Sequence, residues 1–137
     1  LGADQFGVSA HTDYGCITFV CQDDSGGLQV RNRAGEWIAA PPIPGTLVVN
    51  IGDLLARWTN DLFRSTPHRV VNTSGRARYS LAVFYDPDFD AEVKVIDSCL
   101  APGAAPRYAP TTCGAHVLSK FDAAFAYRKE SAAPARA

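Results

Sequence analysis

The chain has 137 residues, of which 47% are hydrophobic and 20% are charged, and its formal net charge is −1. A chain of this length suits one domain, and its ordinary apolar content excludes a disordered protein. The balance of 13 basic and 14 acidic residues gives no global attraction to nucleic acid or anionic lipid. From this charge balance we expect no nucleic-acid partner. No run of about 18 uncharged apolar residues occurs, so we expect no membrane partner either.

The start of the chain and its cysteines bear on origin and compartment. The sequence begins Leu-Gly-Ala-Asp and contains no methionine, so we expect a piece of a longer protein. None of the four cysteines forms a Cys-x-x-Cys pair, which argues against a zinc knuckle. Cys16 and Cys21 are separated by an odd number of positions, so on one extended strand their side chains would point to opposite faces and could not form a disulfide. We therefore expect reduced thiols and a cytoplasmic protein.

Short apolar segments separated by turns make up most of the first hundred residues. The segments that favour strands are 16–22, 28–31, 36–39, 46–51, 64–72 and 77–85. The apolar run from Thr46 to Ile51 predicts a strand buried on both faces, with Leu47, Val49 and Ile51 in the core. Because no strand alternates with a long helix before residue 115, the pattern favours a β-sandwich or jelly roll over a βαβ fold.

Two helices are predicted. Gly52 and Asp53 open a short helix that runs to Trp58, with Asp53 as its N-cap. Apolar residues at helical spacing predict a second helix from about 115 to 129. We expect this helix to dock its Phe121–Phe125 side on the outside of one sheet, and we expect the tail from 131 to 137 to be frayed.

A pair of ligand-type residues, His11 and Asp13, is separated by a single residue. On an extended backbone their side chains leave the same face, about 6–7 Å apart at Cα. Such a pair also occurs as an ordinary surface histidine beside a turn aspartate. His68 lies 55 residues after Asp13 in a predicted strand, and a rolled sheet can return it to a neighbouring position. Two imidazoles and one carboxylate would form a facial triad, the arrangement that non-haem Fe(II) oxygenases use.

A second candidate group is the triplet Arg78-Tyr79-Ser80. Arg78 and Ser80 share one face of a strand, followed on that face by Ala82 and Phe84. An inward arginine is costly without an acidic partner, whereas a guanidinium and a hydroxyl together suit a bound carboxylate. We expect Arg78 to project into the barrel from a strand adjacent to that of His68. The alternative is a surface arginine in an ion pair.

Six segments carry a family resemblance, and they occur in a fixed order. They are His11-Thr12-Asp13-Tyr14-Gly15, Gly27-Leu28-Gln29-Val30, Val49-Asn50-Ile51-Gly52-Asp53, Thr59-Asn60, Ser65-Thr66-Pro67-His68-Arg69-Val70 and Arg78-Tyr79-Ser80. Together they resemble the C-terminal catalytic half of the 2-oxoglutarate and Fe(II)-dependent oxygenases related to isopenicillin N synthase. The resemblance covers about residues 8–90, and the predicted 115–129 helix resembles the C-terminal helix of that family.

The resemblance implies a mainly β fold, namely a double-stranded β-helix (jelly roll) with a C-terminal helix. It implies that His11, Asp13 and His68 hold Fe(II), and that Arg78 and Ser80 bind the distal carboxylate of 2-oxoglutarate. It divides the chain into an oxygenase core at 1–98, without the N-terminal part of the parent enzyme, and a loop with a docking helix at 99–137.

The implied activity is an oxidation coupled to 2-oxoglutarate decarboxylation, with O2 as the other co-reactant. Hydroxylation, desaturation or cyclisation of a small organic metabolite would follow, and we expect Thr18, Leu28 and Phe84 to line the substrate pocket. In that family a helical region and further strands precede the His-x-Asp motif. We therefore expect that part of the pocket is missing and that this fragment self-associates by its open edges.

Two other functions remain open from the sequence. One is an oxidase like isopenicillin N synthase, which uses iron and O2 without 2-oxoglutarate. In that case Arg78 and Ser80 would hold a carboxylate of the substrate, so the triplet does not separate the two enzymes. The other is a catalytically silent β-domain with a binding role.

Overall fold

The computed structural model describes residues 7–125. Its elements, in chain order, are β1 (Val8–His11), β2 (Ile17–Gln22), β3 (Leu28–Arg31), β4 (Trp37–Ala39), β5 (Val48–Ile51), α1 (Asp53–Trp58), β6 (His68–Val70), β7 (Ser80–Tyr85), β8 (Glu92–Val93), a short 3-10 helix (Asp97–Cys99), β9 (Thr111–Thr112) and α2 (Cys113–Ala124). None of the helices in this part of the chain is long and apolar enough to cross a membrane. The predicted frayed tail lies outside the described residues.

Two antiparallel sheets carry the fold, as the sequence predicts. One has the strand order β1-β6-β3-β4 and the other has the order β5-β2-β7, while β8 and β9 form a separate two-stranded pair. The mainly β architecture with a C-terminal helix is thereby confirmed. The strand order differs from our expectation for Arg78, because β7 pairs with β2 and lies in the opposite sheet from β6.

Cross-strand register places polar residues in one row of the second sheet. Thr18 of β2 is paired with Asn50 of β5 on one side and with Phe84 of β7 on the other, so the three side chains share one face. Thr18 and Asn50 are buried. In the first sheet the buried His68 pairs with Val30 on one side and with His11 on the other.

The prediction that β5 is buried on both faces is wrong. Leu47 and Val49 are 54% and 53% exposed, whereas Asn50 on the opposite face is buried. The physical reason is that the face of β5 that carries Val49 is uncovered in the described structure. Val83 and Leu81 of β7 are exposed on the same face.

The C-terminal helix docks through a different side from the one predicted. Cys113 forms a cluster with Cys16, Leu54 and Val93, with Val117 packed against it, whereas Phe121 and Phe125 are 37% and 42% exposed. The helix begins at Cys113, two residues before the predicted start, because the Thr112 side chain accepts a hydrogen bond from the amide of Ala115. Residues 126–129 of the predicted helix lie outside the described part.

Candidate metal centre

His11, Asp13 and His68 come together at one end of the first sheet. His11 and His68 are register partners of β1 and β6, and their ring centroids lie 4.3 Å apart. Asp13 follows two residues after β1 and faces both rings. One ligand atom from each residue can be chosen so that all three lie within 4.8 Å of one another. The sequence prediction that these side chains converge on one point is confirmed.

Backbone carbonyl groups fix the protonation pattern of both imidazoles. Nδ1 of His11 lies 2.8 Å from the carbonyl oxygen of Ser9, and Nδ1 of His68 lies 3.1 Å from that of Thr66. A carbonyl oxygen only accepts hydrogen bonds, so each Nδ1 is the nitrogen that carries a proton. In the neutral rings Nε2 therefore presents its lone pair, and both Nε2 atoms face Oδ1 of Asp13 at 3.7 and 3.6 Å.

This arrangement fits a divalent metal ion. The two distances to Oδ1 exceed the length of a hydrogen bond, so the three acceptor atoms surround a point instead of bonding to one another. The side chains of Asp13 and His68 are only 6% and 9% exposed, and a buried carboxylate without a cation is costly. Two imidazoles and one carboxylate on one side of an ion form the donor set of non-haem Fe(II) sites.

Asn50 is a residue of this centre to which the sequence analysis gave no role. Its Nδ2 donates to Oδ2 of Asp13 at 3.2 Å and lies 3.5 Å from Nε2 of His68. The available signal was a single amide side chain inside the apolar run of β5. A buried amide needs polar partners, and here those partners are the candidate ligands.

The start of α1 fixes the backbone that carries Asp13. The amides of Gly52, Asp53 and Leu54 donate to the carbonyl oxygens of Cys16, Asp13 and Gly15 at 2.8, 2.8 and 3.0 Å. A Cβ atom at position 52 would collide with the carbonyl oxygen of Gly15, so only glycine allows this close approach. The loop that presents Asp13 is therefore anchored to the junction of β5 and α1.

The predicted capping role of Asp53 is wrong. Gly52 occupies the N-cap position, and no side chain caps α1. The carboxylate of Asp53 instead accepts hydrogen bonds from the Thr12 hydroxyl at 3.2 Å and from Nζ of Lys120 at 2.7 Å. Asp53 therefore links α2 to the residue between the two candidate ligands.

The four cysteines do not contribute ligands to this centre. All four are free, as predicted. Burial, with smaller effects from Asp86 and Cys113, raises the pKa of Cys16 to about 11. Its sulfur therefore stays protonated at neutral pH, and a protonated thiol is a poor metal ligand.

A cavity of about 360 Å³ opens beside the candidate ligands. Its lining residues are His11, Asp13, Tyr14, Gly15, Phe84, Asp86, Val117 and Phe121. Phe84 thus lines a cavity beside the candidate ligands, and its role in a substrate pocket stays a prediction. Thr18 and Leu28 are not among the lining residues, because both are buried within the sheets, at 2% and 4% exposure.

Arg78 precedes β7 and directs its guanidinium at neutral acceptors. Nε donates to the carbonyl oxygen of Gly26 at 2.6 Å, Nη1 to Oγ of Ser80 at 3.2 Å and Nη2 to Oε1 of Gln22 at 3.1 Å. Within residues 7–125 no carboxylate forms a salt bridge with it. Ser80 and Phe84 lie on the same face of β7, about 13 Å apart along the strand. Ser80, and Arg78 two residues before it, thus lie on the same face as the cavity residue Phe84 but at the other end of β7.

Fold and site together define the class of protein. Two antiparallel sheets that carry a cluster of two histidines and one aspartate beside an open cavity define a mononuclear non-haem metal protein. Residues 2–87, more than half of the chain, match the family model described as the 2OG-Fe(II) oxygenase superfamily. The chain belongs to this superfamily.

Curated relatives agree with this assignment. The chain is 49% identical over 116 residues to the homoarginine-6-hydroxylase 2-ODD-233 of Oryza sativa subsp. japonica. The aligned segment covers 83% of the chain and 35% of this relative. It is 43% identical over 137 residues to the 2-oxoglutarate-Fe(II) type oxidoreductase hxnY of Emericella nidulans. Here the aligned segment covers 96% of the chain and 39% of the relative.

Solved structures show the same double-stranded β-helix. A full-length Neurospora crassa protein in complex with alpha-KG and 5-formyluracil aligns with a TM-score of 0.83 and 39% identity, over 89% of this chain and 41% of that one. The rice dioxygenase for auxin oxidation aligns with a TM-score of 0.81 and 30% identity, over 88% and 42% of the two chains. The chain spans less than half the length of each of these relatives.

Proposed function

We propose that this chain provides the metal and cosubstrate sites of an Fe(II)- and 2-oxoglutarate-dependent oxygenase that acts on a small organic molecule. The observation that carries the proposal is the buried Asp13 carboxylate, which faces the lone pairs of two histidines whose tautomers are fixed. When bound, Fe(II) supplies the redox chemistry by which O2 oxidises both the substrate and 2-oxoglutarate, and the latter leaves as succinate and CO2.

The three proposed ligands hold the ion from one side. His68 and Asp13 are buried, whereas the side chain of His11 is 39% exposed. His11 and Asp13 both line the cavity, so the remaining coordination positions would open towards it. The carbonyls of Ser9 and Thr66 keep each ring in the tautomer that a metal ligand needs.

Arg78 and Ser80 are proposed to bind the distal carboxylate of 2-oxoglutarate. The guanidinium is half-buried and its three hydrogen-bond partners are uncharged. Its electrostatic partner is Asp23, whose pKa is lowered by hydrogen bonds from the backbone amides of Tyr79 and Ser25 and, more weakly, by the charge of Arg78. A planar guanidinium binds a carboxylate through two parallel hydrogen bonds. Arg78 precedes β7 of the second sheet, whereas His11 and His68 lie on strands of the first, so a molecule that binds both Arg78 and the metal ion would need an acidic group at each end.

The cavity is proposed to receive the substrate. Tyr14, Phe84 and Phe121 give it aromatic walls, and the rings of Tyr14 and Phe121 meet edge to face with centroids 5.6 Å apart. Such walls exclude water and favour an apolar part of the substrate. Among hydroxylation, desaturation and cyclisation, we favour hydroxylation because relatives such as the rice protein are named hydroxylases.

Three further proposals concern the chain as a whole. The free cysteines support a cytoplasmic location. The exposed apolar face formed by Leu47, Val49, Leu81 and Val83 supports self-association of this chain. The division into an oxygenase core at 1–98 and a docking segment at 99–137 stays a prediction.

Metal and cosubstrate binding by the chain test the proposed function. Mn(II) at 100 times its Kd should stabilise the wild-type chain by about 2.7 kcal/mol, which raises Tm by roughly 10 °C. Asp13→Ala should abolish this shift. Asp24→Ala should retain it, because Asp24 is exposed and pairs with Arg76 away from the centre.

Calorimetry then separates the enzyme classes. 2-Oxoglutarate should bind the Mn(II)-loaded chain much more tightly than the metal-free chain, because two of its oxygens can coordinate the ion. Metal binding without any 2-oxoglutarate binding would favour an oxidase that uses no such cosubstrate. An equal shift of Tm in Asp13→Ala and in the wild type would refute the metal site.

A further inference from the structure

The two carboxylate oxygens of Asp13 have different surroundings. Oδ1 faces Nε2 of both histidines at 3.7 and 3.6 Å, whereas Oδ2 accepts the amide hydrogen of Asn50 at an Nδ2–Oδ2 distance of 3.2 Å. Asp13 and Asn50 are 7% and 9% exposed, so bulk water has little access to this hydrogen bond. The reverse amide orientation would place the oxygen of Asn50 against a carboxylate oxygen, which electrostatic repulsion opposes.

The backbone around Asn50 is held as firmly as its side chain. Asn50 pairs with Thr18 in the ladder between β2 and β5. Two and three residues later, the amides of Gly52 and Asp53 donate to the carbonyl oxygens of Cys16 and Asp13. One continuous segment therefore fixes both the backbone of Asp13 and the rotation of its carboxylate.

We infer that Asn50 is a positioning residue that restricts Asp13 to binding the metal through Oδ1 alone, and this inference rests on the metal function proposed above. Carboxylates bind ions through one oxygen or through both. A carboxylate free to rotate could offer both oxygens and fill a further coordination position. A facial triad needs three open positions for a cosubstrate that chelates and for O2. Asn50 thus keeps one of these positions open without touching the metal.

Co(II) binding to the chain tests this role, since its visible absorption reports coordination number independently of any turnover. Two variants, Asn50→Leu and Asn50→Ala, remove the donor with opposite effects on volume, so at least one tests the hydrogen bond if the other fails to fold. Both should bind Co(II) at least tenfold more weakly than the wild type, as is usual when a group that holds a ligand is lost. Both should also show a changed Co(II) spectrum and bind 2-oxoglutarate to the loaded chain about tenfold more weakly.

Val70→Ala is the matched structural control. Val70 is buried in β6 two residues from His68 and has no polar group, so its truncation should lower Tm and leave the Co(II) spectrum unchanged. A wild-type spectrum and wild-type 2-oxoglutarate affinity in the Asn50 variants would overturn the inference. If Asp13→Ala loses Co(II) binding in the same series, the proposed metal site survives that result. If Asp13→Ala binds Co(II) like the wild type, the metal site and the role of Asn50 both fail.

Discussion

Arg78→Lys separates a specific carboxylate grip from simple attraction by positive charge. Lysine keeps the charge but replaces three directed N–H groups with one compact ammonium group. In the structure these N–H groups reach Gly26, Ser80 and Gln22 at 2.6 to 3.2 Å, so the orientation of the fork is set before any ligand arrives. Loss of one hydrogen bond between charged groups costs about 1.5–3 kcal/mol. Because about 1.4 kcal/mol corresponds to a factor of ten, 2-oxoglutarate should bind at least tenfold more weakly.

The assay is titration calorimetry of 2-oxoglutarate into the Mn(II)-loaded chain. Arg78→Ala should weaken binding further than Arg78→Lys, because it removes both the charge and the fork. Arg76→Ala is the control, since it removes one positive charge two residues away. Arg76 pairs with Asp24 at 2.9 Å with both side chains largely exposed, and such surface pairs contribute little. Equal losses of affinity in Arg76→Ala and Arg78→Ala would refute a specific grip and with it the cosubstrate assignment.

Two further predictions concern stability and assembly. Burial, with smaller effects from Lys120 and Arg57, lowers the pKa of His116, so the unfolded chain binds more protons there than the folded one. The contribution of neutral His116 to the stability of the fold should be fully present above about pH 6.5, the ordinary histidine pKa, and should be lost as the pH decreases below that value. Between about pH 7.5 and 5.5 the Tm of His116→Leu should therefore fall less than the Tm of the wild type. Equal falls of Tm in the two proteins would contradict this prediction. Val83→Lys should reduce self-association in sedimentation velocity, because Val83 is 52% exposed on the apolar outer face of β7, whereas Leu62→Lys on an exposed loop should not. A wild-type chain that stays monomeric at high concentration would contradict the second prediction.

Local patterns in the sequence predicted the elements of the site well. The spacing of His11 and Asp13 places both on one side of an extended backbone, and this depends only on strand geometry. The bounds of β3 are those predicted, since turn residues mark both of its ends. The position of His68 beside His11 came from the family resemblance, because the 55 residues between Asp13 and His68 contain no local signal of where the chain returns.

Features that depend on distant neighbours were predicted less well. The pairing of β7 with β2 is decided by contacts across the whole fold, and no turn chemistry near Arg78 encodes it. The exposure of Val49 follows from the uncovered face of β5, which the apolar run alone does not reveal. Asn50 was overlooked because its role depends on Asp13, 37 residues earlier in the chain.

The docking side of α2 shows the same limit. Its apolar residues extend over more than one side of the helix, so periodicity does not select which side is buried. The structure buries Cys113, Gly114 and His116. A Cβ atom at Gly114 would collide with the ring of Phe89, so a close approach to that ring favours this side. Small residues decide the packing here, although the larger phenylalanines carry the stronger hydrophobic signal.

The carbonyl partners of the two imidazoles also bear on the electrostatics of ligand binding. Because the carbonyls of Ser9 and Thr66 accept from Nδ1 of His11 and His68, a neutral ring offers the lone pair of Nε2 to a divalent ion. A divalent ion at this centre would add two positive charges beside the Asp13 carboxylate. A dicarboxylate meets repulsion at the empty centre and attraction at the loaded one. For the proposed function, electrostatics thus favours an order in which the ion binds before the acidic cosubstrate.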